Sequence, residues 1–365
     1  MAVSGSSAGL SKFREVPIEI ADDLQKRFHG FEVPGGLFDP ATASPALLRR
    51  FGLPPRPDPD RQPFLRKVWD RGFGAPLMLR EFIFSRERVQ ATIYRPQVMQ
   101  ADHRQFAETR FETSSNWSGA YITANRDKQF LQIWGVWTIP GNLRLPPGPF
   151  QGPPGIDYLC SNWIGLDGQR RYFDSSLPQI GTVSTLEANG VTTAQAWTQW
   201  WARGNTNTAP LPLGLVVAPG DQVLSVLTAL DPGTVNFVMV NLSAMTAIAV
   251  QGSAPTVTLP NGIQATPDIA GATAEWIVER PAIPGQPTRY NFPDYGKTEF
   301  DLCIAVEGDG VDIFSLFGGL SQDLQGARFI RMYDRLNGPQ RTAFISMPKR
   351  ASDTAVRMSY GGFPD

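Results

Sequence analysis

The chain has 365 residues, 42% of them hydrophobic and 18% charged, which excludes general disorder and supplies a sizeable core. Its formal net charge is −1 and no basic run lines a face, so nucleic acid is not an expected partner. No stretch approaches the roughly 20 apolar residues of a membrane helix, so no membrane span is expected, and the opening MAVSGSSAGLSKFREVPIEI lacks the continuous apolar core of a secretory signal, which leaves the compartment open.

Residues 1–110 hold 17 Lys and Arg against 13 Asp and Glu, whereas residues 111–365 hold 16 against 21, so the two parts carry opposite charge and are expected to attract. Proline punctuates the first part, with FGLPPRPDPDRQP at 51–63 as a break. Residues 21–28 and 63–73 read as short helices, the second presenting Phe64, Leu65 and Val68 as an apolar face. The segment 1–110 therefore reads as an arm of short helices and extended stretches. Two roles stay open for it, an accessory packed on the main domain or a pro-segment packed over an active-site cleft.

From residue 111 the texture changes to strand-like runs separated by Gly, Pro, Asn and Asp, and eight of the nine tryptophans lie here. Strands are expected at 131–140, 221–230, 234–242, 274–279, 297–306, 327–334 and 342–347. Asp231-Pro232-Gly233 is a hairpin turn between the second and third. Many short strands with few helices point to an all-β class, an antiparallel β-sandwich over 111–365.

The only histidines, His29 and His103, precede residue 111. If the second part is an enzyme on its own, that excludes a Ser-His-Asp triad, a Cys-His pair and a zinc site with His ligands. Cys160 and Cys303 are too far apart in sequence for a thiolate cluster; they either bridge or remain buried thiols. No metal or other cofactor is expected, and acid–base chemistry falls to carboxylates. In strand 274–279, alternation puts Glu275, Ile277 and Glu279 on one face and Trp276 and Val278 on the other.

Seven blocks carry a family resemblance in order: SSNWSGAYI at 114–122, LQIWGVWTIP at 131–140, SNWIGLDG at 161–168, LPQIGT at 177–182, AQAWTQWW at 194–201, APGDQV at 218–223 and TAEWIVER at 273–280. Together they resemble the glutamic peptidases, or eqolisins, over residues 114 to about 345. The resemblance implies a concanavalin-like β-sandwich (jelly roll), a polypeptide substrate and an acidic working pH. It also implies a catalytic pair, Gln179 and Glu279. In that pair the Glu takes a proton from the attacking water and returns one to the leaving amine, while the Gln amide donates to the oxyanion.

Trp117, Trp163 and Asp167 match family motifs near the cleft, Asp167 either orienting Gln179 or serving as a turn residue before Gly168. Glu275 joins Glu279 on its face, and Trp197, with Trp200 and Trp201, either lines a substrate groove or fills core. Gln195 and Gln199 stand where the fungal members have acidic residues. Two rivals share the architecture, a carbohydrate-binding module and a jelly-roll glycoside hydrolase. The second is disfavoured because Ile277 replaces the central aspartate of a Glu-x-Asp-x-Glu strand. Asn116-Trp117-Ser118 and Asn241-Leu242-Ser243 match the N-glycosylation pattern.

Overall fold

The alternating β-branched and aromatic runs become strands close to where the sequence puts them. A computed structural model describes residues 17–89, 100–101, 111–168, 176–203, 209–258, 261–283, 288–310, 319–336 and 341–361. The N-terminal part holds helices α1 (Ile18–Arg27), α2 (Pro45–Arg50) and α3 (Pro63–Phe73) with short strands β1 (Phe28–Gly30), β2 (Leu37–Phe38) and β3 (Leu77–Arg80). Next come β4 (Gln100–Ala101), β5 (Phe111–Ser114), β6 (Trp117–Thr123), β7 (Gln129–Thr138), β8 (Tyr158–Leu166), β9 (Ser176–Leu186), β10 (Thr192–Ala202) and β11 (Leu211–Pro212). The chain continues through β12 (Gln222–Asp231), β13 (Thr234–Asn241), β14 (Thr246–Ser253), β15 (Val257–Thr258), β16 (Gln264–Ala265) and β17 (Thr273–Glu279). It ends with β18 (Lys297–Gly308), β19 (Leu320–Gln322), β20 (Arg328–Leu336), β21 (Arg341–Ser352) and β22 (Ala355–Tyr360). The β12–β13 hairpin turns where expected, with the Asp231 carboxylate accepting from the Gly233 amide at 2.8 Å.

Pairing runs as one ribbon, β14–β13–β12–β7–β18–β22–β21–β20–β6–β17–β8–β9–β10–β11, antiparallel at every one of these steps. The ribbon doubles back so that β7 lies over β8 and β17, and β12 and β13 over β9. The result is a β-sandwich. Its layers are stitched by polar groups as well as packing: Trp276 donates from Nε1 to the Trp134 carbonyl at 2.7 Å, and Trp137 from Nε1 to Thr182 Oγ1 at 2.9 Å. Each bond removes the penalty a buried indole N–H would otherwise carry.

The N-terminal elements pack on the outer face of the β7–β12 layer. Pro63 starts α3 at a position where no amide hydrogen is needed, and the spacing of Leu65, Val68, Trp69, Gly72 and Phe73 gives one buried stripe. Phe64 points to solvent, so the apolar face is rotated from the one expected. The sequence window caught Leu65 and Val68 but not the larger Trp69 and Phe73 that decide the orientation. Phe73 meets the Trp134 ring edge-on at 6.3 Å, and Gly72 sits so close to Leu224 that a Cβ would come within 3.0 Å of it. Strands β1 and β3 pair with β14, β3 in parallel. Arg71 bridges to Asp301 at 2.8 Å, a half-exposed pair that contributes little beside this apolar contact. Residues 17–89 thus share one core with the sandwich.

Candidate active site

Alternation in β17 sends Ala274, Trp276 and Val278 into the sandwich and leaves Glu275, Ile277 and Glu279 on the outer face of the second layer. Register then fixes what stands beside them. Glu279 is opposite Trp117 and Ser161, Ile277 opposite Gly119 and Trp163, and Glu275 opposite Tyr121 and Gly165. One strand further, Ser161, Trp163 and Gly165 face Val183, Gly181 and Gln179, and these face Gln195, Trp197 and Gln199 on β10. Gln179 and Glu279 therefore share a face, two strands apart and offset along the strands by four residues. Trp163 occupies the midpoint of the diagonal between them.

Small neighbours let that tryptophan stand. A Cβ at Gly181 would lie 2.5 Å from Trp163 Cβ, and one at Gly165 would lie 3.1 Å from its ring. The indole N–H of Trp163 donates to Glu279 Oε2 at 2.8 Å, and Asn116 Nδ2 donates to Oε1 at 3.0 Å. Asn116 is held in turn by Ser114, whose Oγ bonds its side-chain oxygen at 3.1 Å and accepts from its backbone amide at 3.3 Å. Trp117 packs edge-on against Trp163, ring centroids 5.0 Å apart. Across the face, Gln179 Nε2 donates to Gln199 Oε1 at 3.0 Å. Gln179, Gln199, Glu275 and Glu279 are all fully buried, within a second apolar cluster that includes Trp117, Trp163, Trp197 and Ile277.

The remaining expected residues divide. Trp197 lies on this face, its Nε1 donating to Ser161 Oγ at 3.2 Å, and Trp201 packs on the same cluster, whereas Trp200 is in the main core. Asp167 does not orient Gln179. It follows β8 with a positive φ of 65°, and its carboxylate accepts from the backbone amides of Ala270, Gly271 and Ala272 at 2.7, 3.2 and 2.7 Å. Its carboxylate thus anchors the 270–272 segment beside β17.

Burial pushes the Asp167 carboxyl up to about 6 against the pull of those amides. Glu275 accepts from Thr273 Oγ1 at 2.6 Å, and burial raises it well above the usual carboxylate range, with Asp167 adding in the same direction. Among the described residues no group of three His, Cys, Asp or Glu side chains is arranged to hold a metal ion.

Asn116 was not among the expected site residues, although its block was; the N-x-S pattern directs attention to glycosylation. In the fold both acceptor asparagines are buried, Asn241 bonding the Val216 carbonyl and Asp221. A cavity of about 280 Å³ lined by Thr138, Gly141, Lys297, Glu299 and Arg357 lies on the other layer, away from the pair. A covering segment drawn from 90–99 or 102–110 falls outside the described residues; 17–89 lie on the opposite layer.

The model of the Peptidase A4 family matches residues 115–345, more than half of the chain. Among solved structures, the chain is similar to Scytalido-glutamic peptidase with a peptide based transition state analog, at 17% identity over 68% of this chain and 99% of that one, TM-score 0.47. It is also similar to SCP-B, a member of the eqolisin family, in a complex with the tripeptide Ala-Ile-His, at 17% identity, 68% and 99% coverage and TM-score 0.45. A third is aspergilloglutamic peptidase from Aspergillus niger, at 20% identity, 56% and 99% coverage and TM-score 0.42. No curated protein matches the chain.

Proposed function

We propose a mechanism for a chain that belongs to the Peptidase A4 (eqolisin) family and is a glutamic-type peptidase: Glu279 is its general base and acid, and Gln179 donates to the oxyanion. The substrate is a polypeptide, in keeping with the peptide-based analog and the tripeptide held by Scytalido-glutamic peptidase and SCP-B. The observation that carries the reading is the pair of hydrogen bonds from Asn116 and Trp163, one to each oxygen of Glu279. Two fixed donors, one on each oxygen, set the orientation of the carboxylate. A water on that carboxylate loses its proton as it attacks the scissile carbonyl, and the same group then protonates the leaving amine.

Gln179 Nε2 is positioned by its bond to Gln199, and in the reaction this amide donates to the oxyanion. Because one carboxyl must serve as base and then acid, the activity favours acidic pH. Residues 111–365 form the peptidase unit, and residues 1–110 act as an accessory to it, in keeping with the core that 17–89 share with the sandwich.

The test is digestion of reduced casein by the purified chain from pH about 3 to about 7, a window that spans the ordinary carboxyl range. Glu279→Gln is expected to lower kcat by ~10² to 10⁴ and Gln179→Ala by ~10² to 10³, each with an unchanged fold. Proteolysis that survives in both variants overturns the assignment.

A further inference from the structure

The pairing of Gln179 with Gln199 leaves the second amide with a group to spare. Gln199 is directly across from Gln179 in the β9–β10 register, on the same face, and both are fully buried. Its Oε1 is taken by the Gln179 N–H at 3.0 Å, so its own NH₂ group is turned the other way. That Nε2 is buried and has no hydrogen-bond partner among the described residues. On the same face, Trp117 Nε1 and Glu275 Oε2 are in that condition as well. A buried donor without an acceptor is a standing cost in the free protein and a gain for any ligand that brings an acceptor to it.

We infer that Gln199 binds the substrate: its side-chain oxygen holds the Gln179 amide in place, and its NH₂ donates to a backbone carbonyl of the peptide beside the scissile bond. This rests on Gln179 and Glu279 being the catalytic pair. The ligand follows from the chemistry of the group. A carboxamide nitrogen donates and cannot accept, and the acceptors an extended polypeptide presents at every residue are its carbonyl oxygens. The donor is also uncharged at every pH, so its hold on the peptide does not titrate. A carboxylate in the same place would still accept from Gln179 and would repel the carbonyl. On acidification it would regain one O–H donor.

Two isosteric variants separate these roles. In Glu279→Gln protein, which binds without cleaving, the affinity for reduced casein is read by tryptophan fluorescence. Adding Gln199→Met weakens binding by about tenfold at every pH, the loss of one hydrogen bond. Adding Gln199→Glu weakens it about as much near neutral pH and much less in acid, so the ratio of its Kd to the parent's falls as pH drops through the carboxyl range.

In the otherwise wild-type chain the same two substitutions are expected to lower kcat/KM in parallel, with near-ultraviolet circular dichroism unchanged. Equal Kd values for parent and Gln199→Met, a pH-independent Gln199→Glu ratio, or no binding by the parent overturns the inference. Absence of hydrolysis by the wild type while the parent binds casein overturns the catalytic pair instead.

Discussion

Trp163 donates its indole N–H to Glu279 Oε2 at 2.8 Å from the strand that separates Glu279 from Gln179. One ring is thus both the anchor of the carboxylate and the spacer between the two halves of the pair. Trp163→Phe keeps an aromatic ring and deletes the donor. Hydrogen bonds to charged groups contribute about 1.5–3 kcal/mol, so kcat is expected to fall ~10- to 100-fold with KM nearly unchanged. Steady-state kinetics checks this; a loss confined to KM would mean that the ring acts on the substrate and not on Glu279.

Asn116 makes the other bond, at 3.0 Å to Glu279 Oε1. Asn116→Asp is close to isosteric and replaces that donor by a second acidic group. Two carboxyls sharing one buried site cannot both ionise readily, so they must share a proton over part of the working range. The acidic limb of the pH–kcat profile is expected to move to higher pH and the maximum rate to drop. An unmoved limb would show that Asn116 does not govern the charge of the site.

Stability should fall as pH rises. Asp167 goes from the usual 3.8 to about 6 in the folded chain, and Glu275 is raised well above its usual value, burial being the first cause of both. The folded state then holds more protons than the unfolded one between those limits. The contribution is complete below about 3.8 and is lost as pH climbs through about 6, on the order of 3 kcal/mol for Asp167. Glu275→Gln still accepts from Thr273 and no longer titrates, so its unfolding free energy in urea should depend less on pH than that of the wild type. Parallel pH dependences would contradict the raised Glu275 carboxyl.

Much of this was legible beforehand because it depends on local pattern. Alternation in 274–279 gave the face of Glu279, and Asp231-Pro232-Gly233 gave the hairpin. What stayed hidden depends on register between distant segments. Asn116 reaches Glu279 across 163 residues of sequence, and Gln199 meets Gln179 only because β9 and β10 pair without a slip. Asp167 read ambiguously for the same reason, since the amides that hold it come from residues 270–272. Phe64 misled through size: a large apolar residue near a helix start draws the eye, yet Trp69 and Phe73, one and two turns on, set the buried stripe.

Removing the N-terminal part should cost the fold rather than release activity. Leu65, Val68, Trp69 and Phe73 are buried in the common core, and β1 and β3 cover the edge of β14. A chain starting at residue 111 would expose that outer face and an unpaired edge, so it is expected to aggregate or to lose cooperative unfolding. Within the full chain, Phe73→Ala should lower stability by about 3–5 kcal/mol. A soluble, cooperatively unfolding and more active 111–365 fragment would show instead that the N-terminal part is a removable cover.

The two cysteines offer a probe of the same core. Cys160 on β8 and Cys303 on β18 are free thiols with no exposed surface, and burial pushes both well above the ordinary range, so almost no thiolate exists at neutral pH. A disulfide-exchange reagent attacks through the thiolate, so the native chain should be inert to Ellman's reagent and yield two reactive thiols once unfolded. Labelling under native conditions should follow the rate of unfolding and accelerate together with it in Phe73→Ala. Rapid labelling of either thiol in the folded wild type would show that β8 or β18 opens locally without loss of the sandwich.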